Sequence, residues 1–292
     1  TSPGIDPLRK FEMRVAIASG KGGTGKTTVA TNLAFVALQE GMSVVYLDCD
    51  VEEPNGQIFL KPIVNWSKPV TVPVPRVDSA VCDHCGLCGE ICRFSAIVPI
   101  NNTVLVFAEL CHSCGGCSLV CPLSAITEVP RGIATLMAGE TQSLKYFQGL
   151  LNIGEAMSPP VIRAVKAEAR EADLVIVDAP PGTSCPVVEA VKDCDLVLLV
   201  TEPTPFGLHD LQLAMEAVQK LEIPCEVVIN RAGLNGAATE ALCRRKGVEI
   251  VAELPDSRQV AEAYSRGELA AQADPDIHSR FHSLLEHIGA ST

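Results

Sequence analysis

A chain of 292 residues has room for one α/β core and one small insert, and 47% hydrophobic with 20% charged residues fits a folded protein and excludes a disordered one. A formal net charge of -12 with no Lys/Arg run excludes a basic nucleic-acid or anionic-membrane surface. No apolar stretch approaches the ~20 residues that cross a bilayer and no secretory signal is evident, so the expectation is a cytoplasmic protein whose thirteen cysteines stay reduced and serve metal binding rather than disulfides.

Residues 1–12 lack periodicity and read as a leader outside the fold. Arg14 to Ala18 reads as a buried strand, Ser19 to Gly25 as a glycine-rich turn, and Thr27 to Glu40 as a helix stopped by Gly41. Within this unit, Gly20-Lys21-Gly22-Gly23-Thr24-Gly25-Lys26-Thr27 satisfies G-x-x-x-x-G-K-[ST] between a strand and a helix, the context phosphate binding requires. Backbone N–H groups at Gly22, Gly23, Thr24 and Gly25, with Thr28 at the helix start, would cradle phosphate oxygens. Lys26 would neutralise the β/γ oxygens and Thr27 would offer its hydroxyl to Mg²⁺, so ATP or ADP with Mg²⁺ is the expected ligand.

Ser43 to Leu47 forms a second strand ending in Asp48-Cys49-Asp50, where a carboxylate can meet a γ-phosphate. Pro62, Pro69, Pro73 and Pro75 then mark a non-helical passage out of the core, with a boundary near 70. From Val81 the chain repeats at an offset of 29: Cys82, Cys85, Cys88, Cys92, Ser95, Ala96 and Ile97 recur as Cys111, Cys114, Cys117, Cys121, Ser124, Ala125 and Ile126. Val104 to Phe107 and a stretch within Thr127 to Met137 read as short strands, the second leading back to the core.

Alternation then resumes, with a helix from about Pro160 to Glu171, strands at Leu174 to Val177 and Leu196 to Val200, a helix Leu208 to Leu221, and a strand Glu226 to Ile229. Apolar strands separated by helices imply a parallel sheet covered on both faces, with ligands at the carboxyl ends of its strands. Asp178 follows one such strand and suits a Mg²⁺-holding acid; a helix N-cap is the plain alternative. Near the end, Ile277, Phe281, Leu284, Leu285 and Ile288 form an apolar stripe whose opposite face lacks the Lys/Arg of a membrane-surface helix, so the stripe is expected to pack on the core.

The two runs Cys82-x₂-Cys85-x₂-Cys88-x₃-Cys92 and Cys111-x₂-Cys114-x₂-Cys117-x₃-Cys121-Pro122 resemble bacterial ferredoxins, whose fourth cysteine ligates the other 4Fe-4S cluster. That resemblance implies one cluster on Cys82, Cys85, Cys88 and Cys121 and a second on Cys111, Cys114, Cys117 and Cys92. Arg93 departs from the proline that usually follows the fourth cysteine. Two zinc sites are the alternative, although zinc leaves each third cysteine and the x₃ step unexplained. His84 and His112 read as solvated spacers, and Cys49, Cys185, Cys194, Cys225 and Cys243 as small buried hydrophobes, with Cys49 and Cys185 placed to sense nucleotide or redox state.

Lys21, a second lysine that phosphate cradling does not need, makes the loop resemble the deviant Walker A of the MinD/Mrp/ParA ATPases, a family that includes the nitrogenase iron protein. The resemblance runs from Met13 to about Arg266, is interrupted by the cysteine-rich insert, and is nearest to Mrp-like ATPases with an inserted ferredoxin domain. It implies an α/β fold, a mostly parallel doubly wound P-loop sheet split into 13–70 and 136–292 by a small α+β dicluster ferredoxin-like insert at 71–135. It further implies Mg²⁺-dependent ATP hydrolysis in a dimer of identical or paralogous chains, with Lys21 reaching the partner's ATP. By the same resemblance Asp50 orients the attacking water, Asp178 holds Mg²⁺ through water, Gly182 N–H senses the γ-phosphate, and Asn230 and Pro255 line the adenine. The combination leads to an expectation of ATP-gated electron transfer through the clusters to a redox partner. The alternatives are a cluster carrier serving apoproteins and, third, a MinD-like positioning protein.

Overall fold

The computed structural model describes residues 13–169, 171–233 and 236–290, and the leader expected at 1–12 lies outside them. β1 (Met13–Ala18), α1 (Lys26–Gln39) and β2 (Val44–Asp48) form the expected opening unit. After α2 (Gly56–Leu60), a long β3 (Ile63–Val77) leads to an arm made of α3 (Leu87–Ile91), β4 (Ile97–Ile100), β5 (Thr103–Val106) and α4 (Gly116–Val120); β6 (Ile126–Thr141) returns from it. β7 (Leu144–Leu151), α5 (Pro159–Lys166), β8 (Leu174–Asp178), α6 (Cys185–Val191), β9 (Leu196–Thr201), α7 (Pro205–Lys220) and β10 (Cys225–Ala232) follow. The described chain closes with α8 (Ala237–Lys246), β11 (Ile250–Pro255), α9 (Arg258–Ser265), α10 (Ala270–Ala273) and α11 (Pro275–Ala290).

Nine strands make one sheet in the order β11-β10-β9-β1-β8-β2-β7-β6-β3. The seven from β11 to β7 are parallel, and β6 runs against both β7 and β3. Successive side chains of β1 feed opposite layers: Val15 and Ile17 pack with α1 and α11, whereas Ala16 and Ala18 pack on the side of α5 to α7. The stripe of Ile277, Phe281, Leu284, Leu285 and Ile288 is buried against this core, as its charge pattern implied. Among the described residues no helix is long and apolar enough to cross a membrane.

The middle of the chain departs from the expected passage out of the core. The proline-rich passage does not leave the core at once, because β3 is an edge strand paired antiparallel with β6 along its length. An edge tolerates proline since the missing N–H would point away from the ladder. β7, unanticipated from sequence, fills the place between β2 and β6.

A bulge marks where the β3/β6 ribbon leaves the sheet. Val70 stands opposite Ala134 and Thr71 opposite Gly132, so Ile133 is the extra residue, fully buried. β6 contacts β7 only from Ala134 onward. A ribbon, rather than a loop, therefore crosses the expected boundaries at 70 and 135. At its far end the two cysteine runs fold alike: left-handed φ recurs at His84 and Ser113, at Gly86 and Gly115, and at Ser95 and Ser124, each pair 29 residues apart. Cys88, Ile97 and Ile126 form the small core of this arm.

Candidate functional site

The loops after β1, β2, β8, β10 and β11 surround a cleft of about 420 Å³. Gly22, Gly23, Gly25, Lys26, Thr27 and Thr28 form one wall, and Asp50, Asn230 and Pro255 close the others. Gly25 holds φ 94°, and a Cβ there would stand 2.2 Å from Asn230 Nδ2, so only glycine permits this approach. Asn230 Nδ2 donates to the Thr24 carbonyl at 2.8 Å, which makes this expected adenine contact also a brace for the phosphate loop.

Lys26 is 6% exposed. Burial lowers its pKa, and the carboxylates of Asp178 and Asp50 oppose that shift, so the ammonium stays the natural counter-charge of the cleft. Asp50 is half-buried on the cleft wall, with its pKa raised to about 6 by burial and then by Asp178, against the pull of Lys26. Asp48 lies beneath, fully buried, and its pKa is raised well above the ordinary carboxylate value by burial and the neighbouring Asp178 charge.

Beneath the cleft sits a polar layer that sequence reasoning missed. Tyr46 donates its hydroxyl to Asp178 Oδ2 at 2.9 Å, while Asp48 Oδ2 accepts from Gly56 N–H at 2.9 Å and from Tyr146 at 3.0 Å. The two rings stack at 5.5 Å. Tyr46 shares the face of Asp48 two residues on, a period-two signal that could have found it; Tyr146 belongs to the unanticipated β7 and gave none. The Thr27 hydroxyl beside Asp178 counters the effect of burial on its carboxyl, and Asp178 Oδ1 is buried without a partner. An orphaned carboxylate oxygen beside a phosphate-loop hydroxyl is what a Mg²⁺ shell would complete, so the residues present fit that ion.

The Gly182 N–H, expected at the γ-phosphate, donates to the Ser19 carbonyl at 2.9 Å; Lys21, expected to reach a partner's nucleotide, lies off the cleft wall of its own chain, its carbonyl accepting from Ser19 Oγ at 2.6 Å.

In the arm, Cys82, Cys85, Cys88 and Cys121 line one cavity, and Cys92, Cys111, Cys114 and Cys117 line another. The fourth cysteine of each run thus joins the other run's set. Val77, Val104 and Ile126 wall the first cavity and Pro75, Ile91 and Ile97 the second. Backbone N–H groups of Ala96, Ser113 and Ala125 point at Cys92, Cys111 and Cys121 Sγ at 3.3–3.4 Å. Burial pushes the Cys88 and Cys117 thiols up; at Cys92 burial is outweighed by surrounding N–H donors, which hold the thiol below its usual value. His112 is exposed, as the solvated-spacer reading has it, and its ring stacks on Phe94 with centroids 3.6 Å apart. Cys49, Cys194 and Cys243 are buried and Cys225 partly so, but Cys185 is exposed, contrary to the small-hydrophobe reading.

The profile of the CobQ/CobB/MinD/ParA nucleotide binding domain matches residues 15–270. An uncharacterized protein of Methanocaldococcus jannaschii is 36% identical over 76% of this chain and 79% of its own. The iron-sulfur cluster carrier protein of Pyrococcus horikoshii is 24% identical over 90% of this chain and 83% of its own. The septum site-determining protein MinD of P. horikoshii, solved with Mg-ADP, superposes with a TM-score of 0.59 at 19% identity, covering 94% of this chain and 95% of that one. Because that profile spans most of the sequence, the chain belongs to the CobQ/CobB/MinD/ParA family as a P-loop ATPase related to Mrp-type iron-sulfur cluster carriers.

Proposed function

We propose that this ATPase holds two 4Fe-4S clusters in its arm, a ferredoxin-like insert at about 71–135, and that nucleotide state governs what the clusters do for a partner protein. The observation that carries the reading is the gathering of eight cysteines into two sets of four, each drawn from both runs. Apolar walls and N–H donors aimed at sulfur suit such clusters. Zinc fits poorly: a tetrahedral ion with Zn–S of about 2.3 Å draws its sulfurs to about 3.8 Å apart. Among the described residues the only group of three or more ligand-bearing side chains within 4.8 Å of one another is Glu226, Glu249 and His287, and it contains no cysteine.

In the cleft, the loop N–H groups and Lys26 bind the phosphates, while Thr27 and Asp178 hold Mg²⁺, which supplies charge neutralisation when bound. Asp50, ionised above about pH 6, orients the attacking water. Lys21, off its own cleft wall, serves a facing chain in an ATP-dependent dimer.

The relatives bring cluster carriage forward, ahead of the electron transfer expected from the sequence, because several are iron-sulfur cluster carrier proteins aligned over most of their length. Electron delivery remains the second reading, since releasing a cluster held by two chain segments requires both to let go. Anaerobic mixing of reconstituted protein with an apo-ferredoxin, with and without MgATP, separates them. ATP-dependent appearance of holo-ferredoxin supports carriage. Absence of transfer, together with cluster potentials that shift by tens of millivolts with nucleotide, where ~59 mV is tenfold for one electron, supports electron delivery. A protein that takes up neither iron nor sulfide would sink both.

A further inference from the structure

Between β2, which carries Asp48 beneath the nucleotide cleft, and β6, which leads back from the arm, lies one strand, β7. Tyr46 and Tyr146 are register partners on β2 and β7, as are Asp48 and Gln148. Tyr146 Oη lies 3.0 Å from Asp48 Oδ2 and 2.8 Å from Gln148 Oε1. The phenol, with a single proton, thus faces two acceptors and ties the Asp48 carboxyl to its neighbour on β7.

Asp48 Oδ2 also receives the Gly56 N–H, and this bond clasps the loop 49–55 at its two ends. Asp50, Glu53 and Asn55 of that loop line the nucleotide cleft. The clasp leaves no slack: a Cβ at Gly56 would stand 2.8 Å from Tyr46 Cε1, 3.0 Å from Asp48 Oδ2 and 3.2 Å from Tyr146 Oη.

At the end of β7, consecutive residues reach in opposite directions. Leu151 N–H donates to the carbonyl of Val51, inside the loop, and Asn152 N–H donates to the carbonyl of Ile133, the bulge residue at which the arm leaves the sheet, both at 2.9 Å. Arg131, two residues along the ribbon, pairs with Glu155 at 2.6 Å, adding a second tie between the arm root and the segment after β7.

We propose that β7 is the transmission element of this protein and that Tyr146 is its positioning residue: the phenol holds Asp48 and the clasped loop in place for ATP hydrolysis, and the Leu151–Asn152 pair passes loop displacement to the arm root. The inference rests on the proposed coupling of nucleotide state to the arm. A loop that moves with nucleotide drags Val51, and through one peptide unit the same displacement loads Ile133. Tyr146 acts through Asp48 and touches no nucleotide, so its loss leaves phosphate binding by Lys26 and the loop N–H groups intact.

The test is hydrogen exchange on the full, cluster-loaded chain with MgADP and with a non-hydrolysable MgATP analogue, alongside steady-state hydrolysis, for the wild type and Tyr146→Phe, which keeps the ring stack. In the wild type, amides around 131–134 and 149–153 change protection between the two nucleotides. In Tyr146→Phe that difference disappears, and kcat falls about tenfold with KM unchanged. A variant that keeps both the exchange difference and kcat overturns the proposal, because Tyr146 then only packs. Should Tyr146→Phe fail to fold, the wild-type exchange alone decides, and protection that ignores nucleotide overturns it. A wild type with a full iron complement and flat exchange sinks this inference alone, whereas one lacking iron sinks the cluster reading and is seen separately by iron assay.

Discussion

Asn230 donates its side-chain amide to the Thr24 carbonyl across 206 residues of sequence, so the end of β10 braces the phosphate loop at the other side of the cleft. Asn230→Ala leaves that carbonyl without its partner. The expected result is an approximately tenfold weaker MgATP affinity, equivalent to about 1.4 kcal/mol, measured by calorimetry. Gly25→Ala should be worse, since φ 94° and the Asn230 contact both forbid a side chain. A Gly25→Ala protein with native affinity would contradict the geometry of the loop.

The two lysines of the loop separate by role. Lys26→Ala removes the buried counter-charge and should abolish MgATP binding. Lys21→Ala should spare binding but lose hydrolysis and ATP-induced dimerisation, read by sedimentation. Equal hydrolysis in Lys21→Ala would remove the sandwich-dimer proposal.

Asp50 carries a pH signature. Its pKa is raised from 3.8 to about 6 in the folded chain, so the folded state binds the proton more tightly than the unfolded state. By linkage, this residue makes the nucleotide-free protein less stable as pH rises from about 4 to about 6, and Asp50→Asn should flatten that segment of a denaturation series. If Asp50 must be ionised to orient water, kcat/KM rises through the same region to a plateau, and Asp50→Asn has little activity at any pH.

Crossed ligation is tested at Cys121. Its side chain lines the cavity of Cys82, Cys85 and Cys88, not that of its own run. Cys121→Ser should perturb the cluster of the first run, while Cys92→Ser should perturb that of the second, followed by EPR and by iron falling from about eight toward about four per chain. Unchanged iron in both variants would mean the sulfurs are not ligands.

Phe281 is 1% exposed between α11 and the core. Phe281→Ala should cost about 3–5 kcal/mol of stability through the cavity it leaves, measured by denaturant unfolding. Liposome flotation should show no ATP-dependent binding, because the apolar stripe of α11 is already used. Strong flotation would revive the MinD-like positioning reading.

Local chemistry was legible in the sequence. The phosphate loop, Asp50 and Asp178, the strands that carry them and the cysteine repeat all declare themselves within short windows, because a glycine loop, an apolar run or a ligand spacing is a property of neighbouring residues. β7 escaped notice since Leu144 to Leu151 carries no turn or periodic signal that distinguishes it from a stretch of helix. The edge strand β3 was obscured by its prolines, whose tolerance depends on having no neighbour beyond.

From the sequence alone came the phosphate loop, the cysteines in two matched runs and the α/β class. Only the tertiary structure decided that Asn230 braces Thr24, that Gly182 N–H rests on Ser19, that Tyr46 and Tyr146 stack together beside Asp48 and Asp178, and that β7 lies between β2 and β6. The division has a physical cause. Hydrogen bonds and burial between residues 98 to 206 positions apart depend on which strands become neighbours, and strand order is set by the packing of the whole sheet rather than by any local run of residues.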